Sequence, residues 1–153
     1  MNLTDILSVE QFAPKVSATD RWALIDTLID QLVRAGRIRP EDREAVRKAV
    51  KDREATKSTG IGYGIAIPHA SVSGIQDVVA IVARLDPPID FQALDGQLVR
   101  LCVLFLTPQG QFQRHLQTLS AFARFLSDKE RRQKLENAQT AEEMFAVFRA
   151  AIA

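Results

Sequence analysis

Leu98-Val99-Arg100-Leu101-Cys102-Val103-Leu104-Phe105-Leu106 is an apolar run in which only Arg100 carries charge. A strand with one wet face alternates apolar and polar residues, whereas a run without alternation marks a strand covered on both sides. Val78–Leu85 has the same character, and turn chemistry at Asp86-Pro87-Pro88 and Asp95-Gly96 separates the two. Strands buried on both faces need helices above and below them, and the flanking sequence supplies these. Trp22, Ile25, Leu28, Ile29, Leu32 and Val33 recur at helical spacing behind a cap at Thr19 or Asp20, with Gly36 just past the end. Pro40-Glu41-Asp42 opens a second helix whose apolar face (Ala45, Val46, Ala49, Val50) is thin enough to predict a surface position.

On the far side, Phe112, His115, Leu116, Leu119, Phe122, Ala123 and Leu126 define the apolar face of a third helix. Ser127-x-x-Glu130 and Thr140-x-x-Glu143 read as capping boxes that start two more, the last with Met144, Phe145, Val147 and Phe148 inward. Residues 1–18 carry only a short apolar-periodic piece (Ile6, Leu7, Val9, Phe12) before Pro14. The sequence therefore predicts an α/β fold: a helix–sheet–helix sandwich with a small mixed central sheet. No repeat, low-complexity tract or linker interrupts it, so a single domain over residues 1–153 is expected.

Composition narrows the function. Twenty Lys and Arg against 19 Asp and Glu leave a net charge of +1, without the basic footprint of a nucleic-acid binder. One Cys excludes an internal disulfide. No apolar stretch is long enough for membrane insertion, and Met1-Asn2-Leu3-Thr4-Asp5 lacks the start of a secretory signal. A cytoplasmic domain is expected.

Chemistry centres on the two histidines. His69 follows the short strand Ile65-Ala66-Ile67 and Pro68, a residue that ends a strand or confines it to an edge. His115 shares a helix face with Phe112, Leu116 and Leu119. A metal site would have to draw His69, His115 and Cys102 from three separate elements, without the local spacing zinc sites show. There is no Gly-x-Ser-x-Gly elbow and no Gly-Lys-Ser/Thr of a Walker loop, and Gly60-x-Gly62-x-Gly64 precedes its strand, unlike a dinucleotide fingerprint. Alternate glycines can still bring amides close to an oxyanion, Ser58 and Thr59 add hydroxyls, and Arg53 adds a planar cation suited to phosphate. A tight turn feeding a strand explains the glycines equally well. An anion held beside an imidazole is the arrangement that forms a phosphohistidine.

The run Arg53-Glu54-x-x-x-Ser58-Thr59-Gly60-Ile61-Gly62-x-Gly64-Ile65-Ala66-Ile67-Pro68-His69 resembles the phosphorylation-site signature of enzyme IIA proteins of the fructose/mannitol class. These belong to the bacterial phosphoenolpyruvate-dependent phosphotransferase system. Pro88-Ile89-Asp90-Phe91-x-Ala93-Leu94-Asp95-Gly96 and His115-Leu116-x-x-Leu119 agree with it, and the opening Leu3-Thr4-Asp5-Ile6-Leu7 resembles the nitrogen-regulatory branch. Ala55-Thr56-Lys57 departs from the smaller triplets common in that gap. The resemblance implies that His69 accepts a phosphoryl group from a histidine-containing phosphocarrier protein. His115 then supports it, Arg53 lies close by, and neither metal nor nucleotide cofactor takes part. It also implies either onward transfer to a IIB domain or a regulatory mark read by a target protein. With no fused IIB or membrane domain expected between Met1 and Ala153, the regulatory output leads. A free-standing sugar-transport IIA, a docking module without catalysis and an unrelated small-molecule binding domain stay open as alternatives.

Overall fold

The computed structural model describes residues 1–151. Within them five helices surround a six-stranded mixed sheet. The strands are β1 (Phe12–Val16), β2 (Gly60–Gly62), β3 (Ile65–Ala66), β4 (His69–Val72), β5 (Val79–Ile89) and β6 (Val99–Pro108). The helices are α1 (Arg21–Arg34), α2 (Arg43–Thr56), α3 (Phe112–Leu126), α4 (Lys129–Asn137) and α5 (Ala141–Ala150). The sheet runs β1-β5-β6-β3-β2, with β4 also paired to β6. The β5–β6 and β2–β3 pairs are antiparallel; β1–β5, β3–β6 and β4–β6 are parallel.

Both apolar runs become the central strands, with every residue but Arg84, Leu98 and Arg100 buried. Along β6 the period-2 alternation sorts side chains between two cores. Cys102, Leu104 and Leu106 join Leu24, Ile25, Leu28 and Leu32 of α1 and Val46 and Val50 of α2. Leu101, Val103 and Phe105 join Phe122 and Leu126 of α3, Leu135 of α4, and Met144 and Phe148 of α5. The expected helix–sheet–helix sandwich is therefore present, with α1 and α2 on one side and α3, α4 and α5 on the other.

Asp20 caps α1, accepting from the Ala23 amide at 2.8 Å, and Gly36 takes φ +75° just beyond it. The second helix starts with a 3-10 turn over Pro40–Asp42 and seats only Val46, Val50 and Glu54 in the interior. Ion pairs across to α1 supplement that thin face: Arg47 with Asp26, Lys51 with Asp26 at 2.8 Å, and Arg43 with Asp30. The Arg47 hydrogen bond holds the Asp26 carboxyl below the usual carboxylate range. Pairs this exposed contribute at most about 1 kcal/mol each, so Val46 and Val50 still carry the docking.

Several expectations need correction. The first 18 residues contain a strand, β1, which tolerates Pro14 because it lies at the sheet edge. Asp86-Pro87-Pro88 does not turn the chain; β5 passes through it to Ile89, with a register break between Arg84 and Ile89. Ser127 does not start α4. Its hydroxyl donates back to the Arg124 carbonyl at 2.7 Å, closing α3, while the Asp128 carboxylate accepts from the Glu130 and Arg131 amides. Thr140 does cap α5 through the Glu143 amide at 3.1 Å, but Glu143 reaches the Gln139 amide instead of completing the box on Thr140. The first turn of α3 also differs: Phe112 is 74% exposed and Leu116 48% exposed, because the helix begins beyond the end of β6.

Candidate functional site

β3 and β4 lie in one register along β6, with Ile65 opposite Leu101, Ala66 opposite Cys102, His69 opposite Phe105 and Ser71 opposite Thr107. They are one strand interrupted at Ile67-Pro68. Pro68 has no N–H to give the ladder there, although its carbonyl still accepts from the Phe105 amide at 3.1 Å, and the Ile67 carbonyl meets the imidazole of His69. His69 Nδ1 lies 2.7 Å from that oxygen. A carbonyl only accepts, so Nδ1 carries the proton and donates it, which leaves the lone pair on Nε2.

The ring is 6% exposed and stacks on Phe105, with centroids 5.1 Å apart and 11° between planes. Burial is the main cause that pushes its pKa down to about 4, with the charge of Arg53 and the neighbouring His115 adding to it. The Ile67 hydrogen bond opposes the shift without cancelling it. His115 approaches edge-on, ring centroid 5.1 Å from that of His69 at 63°, and touches Phe105 as well. Its pKa is also lowered, by burial first and by Arg53 second. His115 Nδ1 lies 2.6 Å from the hydroxyl of Thr107, a wholly buried side chain. Both imidazoles are thus neutral near pH 7, within reach of the Arg53 charge.

Arg53 belongs to the last turn of α2, where one Nη1–H donates to the Lys57 carbonyl at 3.0 Å. The structure sets His69 and His115 edge to face, and the charge of Arg53, from a third element, is felt by both rings. Ser58 and Thr59 have other employment. The Ser58 hydroxyl donates to the Phe91 carbonyl, and the Thr59 hydroxyl donates to buried Glu54 at 2.5 Å. Each hydroxyl has one proton, and in this structure it is engaged within the protein.

The three glycines serve the turn and its packing. A side chain at Gly60 would come within 2.8 Å of Ala93 Cβ, while Gly62 and Gly64 take φ of +98° and +77° on either side of Tyr63. The Gly60 amide donates to Ser58 Oγ at 3.0 Å, and the Gly60 and Gly64 carbonyls accept from Leu94 and Arg100 amides. The loop is anchored on residues 91–100, which explains why the two motif blocks occur together. Cys102 lies on the opposite face of β6 from Phe105 and Thr107, and burial raises its thiol pKa. It does not join the histidines. Among the described residues no three His, Cys, Asp or Glu side chains are placed to hold a metal ion.

Sequence reading missed the Ile67 carbonyl, Phe105, Ser71 and Thr107. The one local signal was a hydroxyl residue, Thr107, closing an otherwise apolar run.

Burial of a neutral histidine gives a definite pH dependence. Below pH 6.5 the unfolded chain binds a proton at this side chain and the folded one does not until about pH 4. The unfolded state then holds more protons, so stability falls as pH drops from about 6.5 to about 4, by up to about 3 kcal/mol. Urea unfolding of wild type and His69→Gln across this range isolates the effect. Wild type is expected to lose ground to the variant on acidification; parallel curves exclude a buried neutral imidazole.

A family model for the phosphoenolpyruvate-dependent sugar phosphotransferase system, EIIA 2, matches residues 5–151. The chain is 32% identical over 148 residues to the nitrogen regulatory protein of Bradyrhizobium diazoefficiens, covering 97% of this chain and 95% of that one. It is 34% identical over 152 residues to the PTS system fructose-specific EIIA component of Haloferax volcanii, covering 95% and 97%. The crystal structure of nitrogen regulatory protein IIA-Ntr from Neisseria meningitidis superposes with a TM-score of 0.85 at 28% identity, over 95% of this chain and 98% of that one. Among the described residues, no helix is long and apolar enough to cross a membrane. The match over nearly the whole described chain shows that the protein belongs to the EIIA 2 family, the phosphoryl carriers of the phosphoenolpyruvate-dependent sugar phosphotransferase system.

Proposed function

We propose that His69 Nε2 accepts a phosphoryl group from a histidine-containing phosphocarrier protein, and that the phosphorylated state is chiefly a regulatory signal of the nitrogen type. The observation that carries this reading is the Nδ1–H to Ile67 carbonyl bond, which leaves a neutral ring with its lone pair at Nε2. No base is required. The lone pair forms the new N–P bond while the donor's N–P bond breaks and its electron pair returns to the donor nitrogen. The ring becomes cationic, and the Ile67 carbonyl holds the proton that stays on Nδ1. A cationic ring is also a good leaving group, so onward or reverse transfer is easy.

Arg53 and the free nitrogen of His115 are assigned to the phosphoryl oxygens, where donors placed in advance act mostly on the transition state. Ser58, Thr59, Gly60, Gly62 and Gly64 then act by holding the Arg53 end of α2 and the His69 strand at a fixed spacing. Phe112 and Leu116, exposed on either side of His115, suit a carrier surface with an apolar rim. The relay is cytoplasmic in this reading.

The regulatory output draws support from the two nitrogen regulatory proteins above. The fructose-specific EIIA component supports a second reading, transfer to a IIB domain for sugar uptake. Incubation with a phosphoenolpyruvate-driven relay, followed by intact mass, tests the shared step: one acid-labile, alkali-stable phosphoryl group is expected. His115→Ala is expected to slow onward transfer more than acceptance. Loss of one oxyanion donor is worth about 2.7–4 kcal/mol, so the fall should be about 100- to 1,000-fold. Quench-flow rates equal to wild type in both directions would remove His115 from the site.

A further inference from the structure

His115 is useful beside a phosphoryl group only if its free nitrogen carries a proton, and nothing in its own helix decides that. A neutral imidazole has one N–H and one lone pair. With the proton on Nδ1, Nε2 would present a lone pair to the phosphoryl oxygens and repel them. The choice between the two tautomers is made by whatever bonds Nδ1.

That partner is Thr107, from a different element. Its side chain is wholly buried at the end of β6, and its hydroxyl oxygen lies 2.6 Å from His115 Nδ1. Its other neighbour, Ser71 Oγ, is 3.3 Å away, and Ser71 Oγ is 3.4 Å from His115 Nδ1. The Thr107 hydroxyl has one proton, and the nearer acceptor is the ring nitrogen. The 2.6 Å separation falls in the short range made by O–H donors and below the usual range for N–H donors. Exposed Ser71 can then donate into the Thr107 oxygen, giving an ordered chain of donors from Ser71 to Thr107 to His115. The register reinforces it: Ser71 and Thr107 form the rung two residues past His69 and Phe105, on the same face of the sheet.

We propose that Thr107 is a positioning residue, whose hydroxyl holds His115 in the tautomer with the proton on Nε2 and so determines that a donor, not a lone pair, faces the phosphoryl group on His69. Ser71 supports the same arrangement from the solvent side. The inference rests on the reading that His115 binds phosphoryl oxygens.

The test begins with unphosphorylated, 15N-labelled full-length protein, in which long-range proton–nitrogen spectra report each ring's tautomer. His115 is expected as the Nε2–H form in wild type, and an Nδ1–H form there overturns the proposal whatever the variants do. Thr107→Val keeps the shape and removes the hydroxyl. It is expected to shift His115 towards the Nδ1–H form and to slow phosphoryl acceptance at His69 about 10-fold, the loss usual when a residue orienting a functional histidine is removed. Thr107→Ser should restore both tautomer and rate. Retention of the Nε2–H form in Thr107→Val, or equal loss of rate in the Val and Ser variants with the tautomer unchanged, overturns it. Wild type that never takes label defeats the phosphoryl-carrier site itself. The tautomer spectra, which need no phosphate, separate that failure from a failure of Thr107.

Discussion

His69→Ala is expected to take up no phosphoryl label, its intact mass unchanged after incubation with a relay that labels wild type fully. Phosphoryl transfer needs little from the protein beyond a placed nucleophile and charge around it, so no neighbour can substitute. His115 is the nearest imidazole, but its Nδ1 is committed to Thr107. The fold should survive the change, since the rest of the His69 stack, Phe105 against Phe122, stays intact. The same variant separates the regulatory reading from transport. Deleting the gene should leave fructose and mannitol uptake unchanged while altering a partner that binds one phosphorylation state only. Loss of one sugar's uptake, restored by wild type and not by His69→Ala, reverses that order. Label persisting in His69→Ala would move the nucleophile elsewhere.

The second large effect lies in stability. Glu54 is 1% exposed and accepts from the Thr59 amide at 2.9 Å and from the Thr59 hydroxyl, while Arg21 stands 3.8 Å away. Burying a carboxylate is costly unless its oxygens are satisfied, and here protein donors satisfy them. Glu54→Ala removes the acceptor and leaves the amide, the hydroxyl and a largely covered guanidinium without it. Arg21 keeps its bond to the Phe91 carbonyl at 2.7 Å, so the lower end of the usual range applies, about 3 kcal/mol. The urea midpoint should fall accordingly, and phosphoryl acceptance should fall with it, because Glu54 ties the residue after Arg53 to the loop that leads to His69. A midpoint within experimental scatter of wild type would show that water replaces the carboxylate at no cost.

The readable parts of this chain are those set by local pattern. β5 and β6 declare themselves by unbroken apolar runs, α1 by its 3.6-residue period, and His69 by the seventeen-residue motif around it. β1 escapes because an edge strand can admit Pro14 and the charge of Lys15. β4 escapes because four residues, His69 to Val72, become a strand only through pairing with β6, some 36 residues further on. The same non-local register hides Thr107 and Phe105, whose relation to the histidines exists only once β4 and β6 are aligned. The hydroxyl partners of Ser58 and Thr59 are hidden in the same way. The two residues look like free donors in a loop, and their acceptors, Phe91 and Glu54, lie outside it.

The group that selects which nitrogen of His69 keeps its lone pair is a peptide carbonyl, and a carbonyl cannot be mutated. Substituting Ile67 changes the side chain packed behind the strand and leaves the oxygen in place. Selection acting on partner surfaces is therefore free to rewrite much of the neighbourhood without changing which nitrogen of His69 keeps its lone pair. A designer wishing to transplant this imidazole with its fixed tautomer onto another sheet would need to copy a backbone oxygen, not a constellation of side chains.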